Sequence, residues 1–265
     1  MNGVWIFTSV YCISLVILVY NVYATKDKEQ NVATKELEEK NMDHQHHGSH
    51  GSHEMSEVSP DVTYKNEELL IELKDKDGNV LELEVSHEKM MHLVVISSDL
   101  SVYHHLHPED RGNGKYIQKI NLPHDTYKVF VNISPKGLNY SVKPIDLTIG
   151  EPEKDLGENE LVTDTDFTKT INGYTVELIT EEIEINKEVT FNFDIKNGKP
   201  EPYLGALGHV VITDESGEKF IHVHPHAEDE TIFVTQFDEP GLYKMWAEFK
   251  FGDQVNAYPF VIKVN

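Results

Sequence analysis

Downstream of Val62, apolar residues recur at alternate positions in short runs: Leu69-Ile71-Leu73, Leu81-Leu83-Val85, Leu93 to Ile96, Tyr127 to Ile133 and Ile145 to Ile149. Turn-forming groups such as Asp77-Gly78-Asn79 separate them. A period of two is the side-chain alternation of a strand, and many short runs at this spacing predict a β-sandwich. No long segment has the helical period. Residues 151–166 break the pattern with seven acids, one Lys, Pro152 and Gly157. A second strand-rich stretch runs from about Phe167 to the C-terminus. The pattern therefore predicts an all-β chain with two tandem sandwich domains, residues 61–150 and 167–265, joined by an acidic linker over 151–166.

The N-terminal pattern is different. Val4 to Tyr23 is a run of 20 residues without charge, the length of a signal-peptide core or a single membrane span. Residues 1–24 are thus expected to be a signal peptide, with cleavage after Ala24, or a membrane anchor. No Lys or Arg precedes the run, and Lys26 and Lys28 follow it, a charge placement that favours the opposite orientation. Tyr11 before Cys12 does not suit a lipoprotein site. The expected location is extracytoplasmic, secreted or held on the outer face of the cytoplasmic membrane; the alternative is a cytoplasmic protein on an anchor. Residues 25–60 are polar and then rich in His, Gly and Ser, the composition of a flexible stalk.

Charge and cysteine usage narrow the function. Lys plus Arg number 23 against 46 Asp plus Glu, a formal charge of −23. Phosphate binding needs clustered basic residues, so a nucleic-acid partner is excluded. The one cysteine, Cys12, rules out an internal disulfide, a Cys-ligated zinc finger and an iron–sulfur cluster. Fifteen histidines remain to be explained.

Six of them repeat. His92, Tyr103, His105, His107 and Pro108 map onto His209, Phe220, His222, His224 and Pro225 at a constant offset of 117 residues, so both halves read H-x12-H-x-H-P. Such self-similarity indicates a duplicated domain. Alternate residues of a strand share a face, so His105 and His107 point together, as do His222 and His224. With hairpin turns centred on Asp99-Leu100 and Ser216-Gly217, the first His of each trio sits opposite the last. Opposed Cβ atoms lie about 4.5–5.5 Å apart, within reach of one shared ion. Ser216-Gly217 suits a tight turn; Asp99-Leu100 suits it poorly.

The strings around these histidines resemble a group of exported bacterial proteins, largely uncharacterised, with tandem Ig-like or cupredoxin-like domains. In the first half the string is Met91-His92-Leu93-Val94-Val95-Ile96-Ser97-Ser98-Asp99-Leu100, followed by Tyr103-His104-His105-Leu106-His107-Pro108. In the second it is Pro202-Tyr203-Leu204-Gly205-Ala206-Leu207-Gly208-His209, then Phe220-Ile221-His222-Val223-His224-Pro225. The resemblance spans about residues 62–265 and implies an association with copper or other heavy metals in the envelope, without an assigned reaction.

Three same-face imidazoles suit copper, zinc or nickel, so His92, His105, His107 and His209, His222, His224 are the expected metal ligands, one ion per domain. The alternative gives them structural hydrogen bonds on a sandwich face. His87 and His104 lie off that face; His124 and His226 are spare candidates. Met90 and Met91 are candidate thioether ligands or core residues. In the stalk, Met42, His44, His46, His47, His50, His53 and Met55 fall within fourteen residues, a mixture suited to both copper oxidation states or to a merely solvated linker. Enzyme signatures are absent; Glu109, Asp110 and Glu228 would be the nearest bases of a metal-dependent hydrolase. The expected function is buffering or delivery of copper or zinc at the envelope, with a copper transporter or oxidase assembly factor as partner and membrane contact through an uncleaved N-terminal segment. The alternative is a non-catalytic envelope adhesion or scaffold protein.

Overall fold

A computed structural model describes residues 56–86, 88–151 and 161–265. The expected signal or anchor, the stalk's metal-ligand candidates, His87 and the centre of the acidic linker lie outside the described residues. Among the described residues no segment is helical, and no helix is long and apolar enough to cross a membrane.

The described residues form two tandem β-sandwich domains. The first contains β1 (Val58–Lys65), β2 (Glu68–Asp75), β3 (Leu83–Glu84), β4 (Met91–Ser97), β5 (Tyr103–Leu106), β6 (Glu109–Asp110), β7 (Lys115–Lys119), β8 (Asp125–Pro135) and β9 (Ile145–Ile149). One sheet has the order β1-β2-β7-β6; the other is β3-β8-β4-β5, with β9 also pairing β8. The second domain contains β10 (Thr168–Ile171), β11 (Tyr174–Ile179), β12 (Glu188–Ile195), β13 (Gly208–Asp214), β14 (Ile221–Val223), β15 (Ile232–Gln236), β16 (Gly241–Phe251) and β17 (Gln254–Val264). Its sheets are β10-β11-β12-β15 and β14-β13-β16-β17, all antiparallel.

Leu69, Ile71 and Leu73 of β2 enter the first core as their alternation requires. β4 differs, being buried at every position. Leu93 and Val95 face its own domain's core, whereas Val94 and Ile96 join Leu100, Phe130, Val211, Phe220 and Trp246 in a third cluster made by both domains. β13 repeats this, with Val210 and Ile212 in the second core and Val211 in the shared cluster. The continuous apolar strings His92-Leu-Val-Val-Ile and His209-Val-Val-Ile are therefore strands covered on both faces.

The hairpin registers follow the expected centres: Val94 pairs with His105 and Ile96 with Tyr103, and Val211 pairs with His222. Leu100 takes the left-handed conformation at φ 58°, matching Gly217 at φ 68°. A leucine pays a steric cost there. Its side chain, 4% exposed, is an apolar contact of the shared cluster, which offsets that strain.

Candidate metal centre

The two trios do not stand apart. β4, β5 and the residues just after it present His92, His105 and His107 on the face that meets the second domain; β13, β14 and their continuation present His209, His222 and His224 toward the first. His222 lies 5.2 Å, ring centroid to centroid, from both His92 and His105. That matches the spacing inside the first trio, 4.9–5.3 Å. All six imidazoles form one cluster at the domain interface.

Within the first trio, His92 Nδ1 lies 3.1 Å from His105 Nε2 and 3.2 Å from His107 Nε2. Two nitrogens bound to one metal at about 2.0–2.1 Å subtend an edge of about 3.3 Å in a tetrahedron, so these separations suit a shared ion. The second nitrogens are engaged by groups that only accept: His92 Nε2–H donates to Ser86 O at 3.1 Å, and His105 Nδ1–H donates to Glu248 Oε2 at 2.7 Å. With both rings neutral, those bonds fix the tautomers and turn two lone pairs toward each other. A cation between them removes the repulsion.

The second trio repeats the arrangement more openly. Its ligand nitrogens lie within 4.8 Å of one another, as do those of the first. His209 Nε2–H donates to Tyr203 O at 2.9 Å, and its buried Nδ1 has no hydrogen-bond partner. Tyr203 and Ser86 are equivalent positions, each closing a tight turn through paired backbone bonds, Tyr203 with Ala206 and Ser86 with Lys89. In the Tyr203 turn, Leu204 and Gly205 both have positive φ, 55° and 78°, which explains the glycine in Pro202-Tyr203-Leu204-Gly205. Gly208 serves a different need: a Cβ there would approach Phe249 Cε1 to 2.6 Å and Glu248 O to 2.7 Å.

Asn132 Nδ2–H donates to His222 Nδ1 at 3.0 Å, and the buried Nε2 of His222 has no hydrogen-bond partner; turning the Asn132 amide over presents Oδ1 as an acceptor there and leaves Nε2 its lone pair. Asn132 pairs with His92 across β8 and β4, and Glu248 with His209 across β16 and β13. Each therefore belongs to one domain and holds the middle histidine of the other. Stacked rings cross in the same way, Tyr103 on Trp246 at 4.7 Å and Phe220 on Phe130 at 4.8 Å. In these contacts the interface is pseudo-symmetric, each of them answered by its counterpart.

Burial favours the neutral form, the one that coordinates metal, at His107, His209 and His222. His92, His209 and His222 are at most 5% exposed. Desolvation, with the neighbouring histidines adding to it, lowers His107 to about 2 and pushes His222 well below the ordinary range. Desolvation also lowers His209 to about 4, against the raising effect of its bond to Tyr203 O. Neutrality of these three should thus persist well below pH 6.5.

Other sequence candidates fall elsewhere. Met91 is in the first domain's core and Met90 is on the surface. His124 packs at Gly150, and His226 is exposed beside Glu230. Glu109 and Asp110 form the exposed strand β6. Glu248 and Asn132 are not singled out by the sequence pattern, although Tyr127-Lys128 and Tyr243-Lys244 correspond at an offset of 116 and the same offset relates 132 to 248.

A single family model, described as "Domain of unknown function (DUF8832)", matches twice, at residues 52–149 and 169–265. No curated protein matches. Among solved structures, the chain is similar to a biofilm-associated protein BSP domain at 12% identity and TM-score 0.23, over 79% of this chain and 30% of that one. It is also similar to a two-domain fibronectin type III segment of chicken tenascin at 10% identity and TM-score 0.27, over 77% and 97%. A third likeness is to the FN1–FN3 domains of chicken CNTN1, at 11% identity and TM-score 0.24, over 79% and 68%.

Proposed function

The chain belongs to the DUF8832 family, carries two copies of its domain, and we propose that it binds transition-metal ions, copper or zinc, at the joint between those copies. The observation that carries this reading is the facing of His92 Nδ1 and His105 Nε2 at 3.1 Å, with both second nitrogens held by acceptors. Buried imidazoles with fixed tautomers and ligand-like separations are what a divalent borderline ion selects. Buffering or delivery at the cell envelope follows from the uncharged run at Val4–Tyr23 and the His/Met stalk, with an envelope transporter or oxidase assembly factor as the recipient. Protease added to intact cells should digest such a chain; complete protection would contradict the location.

Metal titration tests the binding itself. The stalk adds ligands of its own, so the full chain carries His44→Ser, His46→Ser, His47→Ser, His50→Ser and His53→Ser. About two Zn(II) per chain should bind, and His92→Ala with His209→Ala should abolish uptake. A second reading is a non-catalytic envelope scaffold whose histidines are structural. It is favoured by the cross-domain stacks, which hold the interface without any ion. That reading predicts no stoichiometric uptake.

A further inference from the structure

Resting on the metal-binding reading, we propose that the six histidines form one dinuclear centre, two ions sharing a single chamber between the domains. Independent sites would need the trios to be separated by protein. Instead His222 makes edge contacts with His92 and His105 at 5.2 Å, and His209 lies 5.9 Å from His105. These distances are those found within the second trio, 4.5–6.0 Å. No apolar layer intervenes: the shared cluster of Val94, Ile96, Phe130, Val211 and Trp246 lies along the same strands on the far side of the histidines from the Ser86 and Tyr203 turns.

Three ligands per ion leave a coordination position free at each metal. Because the trios face each other, those positions open toward a common space in which water can bridge. The crossed supports tie the pair together. Glu248 of the second domain orients His105 in the first, and Asn132 of the first contacts His222 in the second. Occupying one trio therefore stiffens residues that position the other. Neither half can hold its site in this form when the domains are apart.

Electron paramagnetic resonance on the full chain with the five stalk substitutions tests the pairing, using Cu(II) as probe. At one equivalent the spectrum should be that of an isolated ion. At two equivalents the spin intensity per copper should fall below that of independent ions, or a half-field line should appear. In His224→Ala, whose lost side chain is partly exposed at the edge, one copper should bind with full, uncoupled intensity. Two bound coppers with additive intensity and no half-field line would overturn the dinuclear centre while leaving metal binding intact. A single bound copper in the parent chain would overturn it as well. No uptake would overturn both readings.

Discussion

Glu248→Gln isolates the role of the carboxylate behind His105. The substitution keeps an acceptor oxygen and nearly the same volume, so the buried side chain still receives the Nδ1–H bond. What is lost is the charge. The parent bond is 2.7 Å long, with side-chain exposures of 1% for His105 and 7% for Glu248, so water screens little of it. A bond to a charged partner contributes about 1.5–3 kcal/mol and a neutral one about 0.5–1.5, a difference of about 1–2 kcal/mol. As the ion draws electron density from the ring, the anionic acceptor stabilises the bound state more than a carboxamide does. Affinity at the first trio should drop about 5- to 30-fold, the equivalent of about 1–2 kcal/mol. Competition against a chromophoric chelator, with Zn(II) and the stalk-substituted chain, measures it. The second trio, supported by the neutral Asn132, gives an internal reference, and Asn132→Asp should move that site in the opposite direction. Unchanged affinity in Glu248→Gln, or an equal loss at both sites, would refute the second-nitrogen argument.

Trp246→Ala removes a ring that stacks on Tyr103 and is 3% exposed in the shared cluster. It should cost about 3–5 kcal/mol and split a common melting transition into two, as read by calorimetry; one unchanged transition would show that the domains do not depend on this contact. Acid should destabilise the metal-free protein. His209 is lowered to about 4 in the fold against an ordinary 6.5, so between those values the unfolded chain binds the extra proton. Stability is then full above about pH 6.5, and His209 alone accounts for a loss of up to about 3 kcal/mol as pH drops toward 4, to which His107 and His222 add. Urea denaturation at pH 7, 5.5 and 4.5 reads this slope, and His209→Gln should reduce it by the His209 share.

The fold was legible because strands announce themselves by alternation. Both hairpin registers could be placed from the spacing of three histidines, and the pairings Val94–His105 and Val211–His222 are the ones that spacing requires. The unsuitable turn residue Leu100 was the visible sign of something more. It tolerates positive φ because the other domain covers its side chain. The docking of the sandwiches was not legible, since an apolar string such as Leu93 to Ile96 reads alike whether its second face meets its own domain or a neighbour. Hence the trios read as one site each. Glu248 sat unnoticed among forty-six acidic residues, because what marks it is burial, and burial is a property of the assembled interface.

Crossed pairs such as Tyr103–Trp246 with Phe220–Phe130 have the form of an isologous contact, in which two identical subunits each offer the same patch. Identical subunits must repeat every residue, so a carboxylate on one side would dictate a carboxylate on the other, and two like charges would be buried together. Joining the copies in one polypeptide lifts that requirement. Position 248 carries Glu while its counterpart, 132, carries Asn. The tandem chain thereby holds a nearly symmetric cage of imidazoles with a single negative charge built into one wall, an inequality that no homodimer of either half could sustain.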